Sequence, residues 1–122
     1  MSKRHIISKK TREFVYNKYD GHCAYCGCEL DIKDMQVDHF APVYLFGDNI
    51  NISNLMPSCR PCNFYKNTLT INKFREQLGE IKSRLERDSF IYRIAKKYGL
   101  IEEKDKEIQF YYEKMDDNNK IQ

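Results

Sequence analysis

The sequence predicts a small α+β fold closed by a metal centre, and three observations carry that prediction. Cys23-Ala-Tyr-Cys26 and Cys59-Arg-Pro-Cys62 are two Cys-x-x-Cys pairs. Between them, two short apolar runs flank a turn-rich loop, and the second pair opens onto a helical pattern. A helical pattern precedes the first pair, and others follow Thr70. Each cysteine pair offers two thiolates from one tight turn, and zinc takes four such ligands tetrahedrally without strain. The 32 residues between Cys26 and Cys59 exceed the loop of a simple zinc ribbon, so the interval should hold structure of its own.

Taken in order, residues 1–8 form a flexible basic arm with Lys3 and Arg4 available to phosphates. From Lys9 to Tyr19, the spacing of Phe14, Val15 and Tyr19 predicts a short helix, which Asp20-Gly21 ends. His22 adjoins the first pair and is expected to pack or face solvent rather than bind metal. Cys28 is either a bystander or a competing ligand. Met35-Gln36-Val37 alternates as a strand, with Pro42 ending that region. Gly47, Asp48, Asn49, Asn51 and Ser53 mark the loop, and Leu55-Met56-Pro57 is the second strand. The segment from Cys59 to about Asn67 is a helix with Pro61 tolerated in its first turn.

Beyond Thr70, Ile71, Phe74, Leu78, Ile81 and Leu85 share one face of a single amphipathic helix, with Lys73, Arg75, Lys82 and Arg84 off that face. Phe90, Ile91, Ile94, Ala95 and Tyr98 predict another helix, stopped by Gly99. Ile108, Phe110 and Tyr112 alternate as a strand. The expected organisation is an arm (1–8), a core (9–70), an extension packed on the core (71–114) and a disordered polar tail (115–122).

At 122 residues the chain holds one small domain, and a hydrophobic content of 41% leaves a lean core that a metal would help to close. Charge is segregated. Lys3, Arg4, Lys9, Lys10, Arg12 and Lys18 outnumber the acids before the first cysteine pair, while Glu29, Asp31, Asp34, Asp38 and Asp48 dominate the interval that follows. Basic flanks around an acidic centre suit a protein that holds a polyanion outside and a cation inside. No apolar run reaches the roughly 18 residues of a membrane span. The polar, basic start is unlike a secretory signal, so cysteine chemistry in a reducing, cytoplasmic setting (a bacterial or phage-infected cell) is expected.

The chemistry-bearing residues lie between and just after the cysteine pairs. Neutral imidazole near pH 7 is a natural general base, which singles out His39. The adjacent Asp38 carboxylate suits a hard cation such as Mg²⁺. Neighbours on a regular strand face opposite ways, so both can serve one site only where the strand ends or bulges. Asn63 follows Cys62 and offers an amide oxygen to a cation; Lys66 shares its helical face and could meet a phosphate. Asn54, after the loop, could hold the ring or backbone of His39.

Together, Cys23, Cys26, Asp38-His39, Asn54, Cys59, Cys62-Asn63 and Lys66 form a series that resembles the HNH nucleases, in the branch braced by a four-cysteine zinc. The likeness covers about residues 9–70; beyond Thr70 the chain is similar to the extension of small phage-type HNH proteins. The last motif position is Asn63 rather than histidine, the common variant. The resemblance implies a ββα-metal, treble-clef-like core with an N-terminal helix and a mostly helical C-terminal extension. It implies a DNA endonuclease with His39 as general base, Asn54 orienting it, and Asp38 and Asn63 holding Mg²⁺ or Mn²⁺. Cys23, Cys26, Cys59 and Cys62 would hold structural zinc, with Lys66 and Arg60 on phosphate. Products would carry 5′-phosphate and 3′-hydroxyl ends, and DNA contacts would be mainly to the backbone. The alternatives are a catalytically silent zinc-braced DNA-binding module and a treble-clef protein-interaction domain, neither of which needs Asp38, His39 and Asn63 together.

Overall fold

The computed structural model describes residues 7–42 and 51–121. The arm residues Lys3, Arg4 and His5, and the loop residues Gly47, Asp48 and Asn49, lie outside them. The described residues fall into two compact units: those up to Ile71 together with those from Gln109, and Asn72–Ile108.

In the first unit, helix α1 (Lys9–Asn17) begins where the Ser8 hydroxyl accepts from Thr11 N at 3.1 Å. That bond satisfies one of the donors a helix start leaves open. Asp20 and Gly21, at φ 52° and 77°, turn the chain towards the first cysteine pair. Val15 is buried with Met35 and Leu55, and Ile7, Tyr16, Leu30 and Val37 pack around them. Phe14 is 56% exposed, because one residue back from Val15 is a turn of about 100° around the helix. Arg12 donates to the carbonyls of Ile32 (2.7 Å) and Met35 (2.6 Å), tying α1 to the segment that enters the sheet.

Strands β1 (Gln36–His39) and β2 (Leu55–Ser58) pair antiparallel, with Asp38 opposite Met56 and His39 opposite Leu55. All of β2 is buried. Helix α2 (Arg60–Lys66) follows at once, with Pro61 in its first turn where a missing N–H costs nothing. Two strands and a helix, bracketed by the cysteine pairs, make a mixed α+β core of the ββα kind.

In the second unit the expected single helix divides into α3 (Ile71–Gly79) and α4 (Ile81–Asp88). Gly79 is the weak point, and Glu80 N is shared between Glu76 O and Gln77 O, each at 3.2 Å. Helix α5 (Phe90–Lys97) is capped by the Ser89 hydroxyl, which accepts from Tyr92 N at 3.1 Å, and packs on α4. Gly99, at φ 70°, follows its end. The basic residues find partners within their own unit while Lys73, Lys82 and Arg84 keep exposed surface: Arg75 donates to Ile108 O, Lys82 to Lys104 O and Asp105, Arg84 to Gln77 and Glu80, and Lys73 pairs with Glu76.

The strand expected around Ile108–Tyr112 is not formed. Residues 101–110 are irregular, and helix α6 (Tyr111–Ile121) runs on through the stretch expected as a disordered tail. Two bonds replace the ladder: Tyr111 N to Tyr25 O (3.0 Å) and Tyr112 N to Ala24 O (2.8 Å). The Glu113 carboxylate accepts from Phe110 N at 2.9 Å, so the start of α6 is capped from within. Phe110 is thereby buried against the first cysteine pair. Among the described residues no helix is long and apolar enough to cross a membrane.

Candidate active site

The sulfur atoms of Cys23, Cys26, Cys59 and Cys62 all lie within 4.8 Å of one another, and Cys26 Sγ is 3.8 Å from Cys59 Sγ. A tetrahedron of thiolates about 2.3 Å from zinc has edges of about 3.8 Å. The donor set therefore fits structural zinc. The thiols also conflict without a cation. Hydrogen bonding from Cys62 pulls the Cys23 thiol down to about 4, and the same contact pushes Cys62 up. Burial pushes Cys59 up as well. Thiols this close resist ionising together, and a dication removes the conflict.

Cys28 is outside the cluster. Its carbonyl accepts from Cys23 N at 2.9 Å, and burial and the neighbouring Cys26 push its thiol up to about 12. His22 is outside it too, stacked on Tyr111 with ring centroids 5.3 Å apart. The first pair docks on the sheet through Ala24 N to Pro57 O at 2.9 Å. The second pair sits at the start of α2, with Cys59 O accepting from Asn63 N at 3.0 Å. The cluster thus fixes both the sheet and the helix that carries Asn63.

A pocket of about 130 Å³ lies where β1 ends against α2, lined by Val37, Asp38, His39, Pro42, Asn63, Asn67 and Thr68. Asp38 and His39 share it with Asn63, which is distant in sequence. The strand stops at His39, and the chain bends at Phe40 and Ala41, which lets two consecutive side chains border one space. Asn54 holds that bend: its backbone carbonyl accepts from Phe40 N and its side-chain oxygen from Ala41 N, both at 2.8 Å.

Asp38 is 5% exposed, and both of its partners are on Oδ2. Tyr25 OH donates to it at 2.5 Å, and Lys66 Nζ lies 2.9 Å away. Burial, and then the Asp38 charge, push the Tyr25 phenol well up, which keeps it a donor. Lys66, expected at a phosphate, is instead wholly buried, and its ammonium also donates to His39 O at 3.2 Å. Arg60 stays exposed in the first turn of α2.

Sequence reasoning did not single out Tyr25, Asn67 or Thr68. The aromatic inside the first Cys-x-x-Cys was the available signal for Tyr25. Asn67 carries a backbone signature that sequence does not display: φ 50° and ψ −121°, a region that favours glycine.

Comparison with known proteins agrees with this architecture. Residues 23–68 match the family model described as HNH endonuclease. A 49-residue stretch, 38% of the chain, is 45% identical to the Septu protein PtuB of Bacillus thuringiensis and spans 19% of that protein. The fold is similar to part of the type II-C Cas9 enzyme from Actinomyces naeslundii, with a TM-score of 0.54 and 26% identity over 63% of this chain and 9% of that one. The chain therefore spans under a fifth of either relative's length. With their ββα core and four-thiol cluster, residues 23–68 are the part of the chain that matches the HNH endonuclease family.

Proposed function

We propose that this chain hydrolyses DNA phosphodiester bonds at the pocket between β1 and α2. The observation that carries the reading is the convergence of Asp38, His39 and Asn63 on that one pocket. His39 takes a proton from water as the water attacks phosphorus. Asn54 supports it by pinning the bend that follows the strand. Asp38 Oδ1 and the Asn63 amide oxygen are hard donors that suit Mg²⁺ or Mn²⁺. When bound, such a cation supplies positive charge to the transition state and to the leaving 3′ oxygen.

Tyr25 and Lys66 act one step back, holding the Asp38 carboxylate in its orientation through Oδ2. Phosphate contact passes from Lys66 to Arg60, which is exposed beside the cluster. A structural zinc on Cys23, Cys26, Cys59 and Cys62, with four protein ligands, has no open position and takes no part in the chemistry.

Plasmid cleavage by the purified protein with Mg²⁺ or Mn²⁺ tests the proposal, with EDTA and His39→Ala as controls. Metal-dependent nicking or linearisation that His39→Ala lowers by roughly 10²-fold or more is expected. Binding of DNA by zinc-loaded protein without cleavage under either metal would replace the nuclease reading with that of a DNA-binding module.

A further inference from the structure

Helix α2 carries a side chain that neither the core nor the pocket uses. Phe64 is 83% exposed, the highest value among the large apolar side chains of the described residues. Lys66, two positions on and about 200° around the helix, is wholly buried, so the face that carries Phe64 is turned away from the sheet. Asn63, the residue before Phe64, lines the pocket, and Asn67 and Thr68 line it just beyond the helix. Arg60 is exposed at i−4, on the same side of α2 as Phe64 and about 6 Å back along the axis. An aromatic ring, a guanidinium and the pocket thus follow one edge of a seven-residue helix. To a nucleic acid such a ring offers a flat apolar face.

We infer that Phe64 is a stacking platform for an unpaired base beside a phosphate at the pocket, and that the substrate this chain engages is single-stranded or locally opened DNA. The inference rests on the nuclease reading of the pocket and names its substrate class. Inside a duplex both faces of a base are covered by its neighbours. A ring on the protein lies flat against one only where the base has left the stack. Arg60 supplies the complementary charge, meeting the phosphate next to that base, while Asn63 borders the pocket from the adjacent strip of the helix. Phenylalanine has no hydrogen-bonding group, so the platform accepts any base and selects for strand state, not for sequence.

The chain contains no tryptophan, so Phe64→Trp places a single fluorescent reporter at the platform. Zinc-loaded His39→Ala protein serves as the parent, which separates binding from cleavage. The probes are a mixed-sequence single-stranded oligodeoxynucleotide and the matching duplex, each carrying a dye for anisotropy. Quenching of the tryptophan by the single strand and not by the duplex is expected, because an indole stacked on a base loses emission. Phe64→Ala and Phe64→Leu should each bind the single strand about fivefold or more weakly than the parent. Duplex affinity, set by backbone charge, should stay within about twofold. Leucine keeps an apolar contact and loses the flat face, so a Phe64→Leu protein that binds the single strand as tightly as the parent would overturn the inference. Equal quenching by the duplex would overturn it too, as the mark of a wedge driven between paired bases. So would a single strand that fails to bind, or that binds and leaves the tryptophan unquenched. The quenching comparison decides the matter even if Phe64→Ala or Phe64→Leu fails to fold. Strand-selective quenching without plasmid cleavage by the wild type would keep the inference and remove the nuclease reading. Cleavage without quenching would do the opposite.

Discussion

Phe110 packs edge-on against Tyr25, with ring centroids 5.7 Å apart and planes at 84°. The returning end of the chain therefore backs the tyrosine that holds Asp38 Oδ2. Phe110→Ala would open a cavity behind Tyr25 and is expected to cost about 3–5 kcal/mol in urea unfolding. Tyr25→Phe removes only the phenol bond to a charged acceptor and should cost about 1.5–3 kcal/mol. An unfolding midpoint for Phe110→Ala equal to that of the wild type would contradict the packing described here.

The thiol cluster closes a lean core, so removing its metal should unfold the first unit. Structural zinc in small domains contributes on the order of 10–16 kcal/mol of apparent binding free energy. Cys59→Ser should fail to retain zinc and lose the first unit's share of the helical circular dichroism, whereas Cys28→Ser should keep both. Protons compete with zinc for thiolates, so the metal is retained at neutral and higher pH and released as pH falls. Zinc release followed with a chromogenic chelator across that range would show it.

Gly27 adopts φ 83°, and a Cβ built there would stand 2.6 Å from Tyr111 Cδ1. Gly99 has φ 70° with nothing within 4 Å of the same atom. Gly99→Ala therefore meets only the left-handed backbone cost, about 1–2 kcal/mol. Gly27→Ala adds overpacking of a further ~1–3 kcal/mol. Thermal melts of the two variants should rank them in that order.

Asn67 borders the pocket from a strained backbone, φ 50° and ψ −121°. Asn67→Gly should relieve that strain and stabilise the fold by up to about 1 kcal/mol. It also removes a polar side chain from the pocket, and a roughly tenfold slower cleavage is expected if one charged hydrogen bond is lost. A variant both less stable and fully active would contradict both expectations.

The legible parts of the molecule are those fixed by local spacing. Cys23, Cys26, Cys59 and Cys62 announce their cluster because each pair closes within one turn, and Gly99 marks the end of its helix by ordinary capping chemistry. Residues whose surroundings come from elsewhere in the chain were not legible. The alternation of Ile108, Phe110 and Tyr112 suggests a strand, but among the described residues no strand pairs with it. The Phe110-x-x-Glu113 capping pattern was the competing signal and prevails. Lys66 looks like a surface cation at its place on α2, and only its approach to Asp38 in space turns it inwards. Period and propensity describe one element at a time, whereas the destination of a lysine depends on two.

The core leaves off at Ile71 and resumes at Gln109, with the Asn72–Ile108 unit spliced between. A segment inserted in this way behaves as a cassette. Its length and surface can drift, or be exchanged by recombination, without rewriting the chemistry on either side, provided that Phe110, Tyr111 and Tyr112 still find the first cysteine pair.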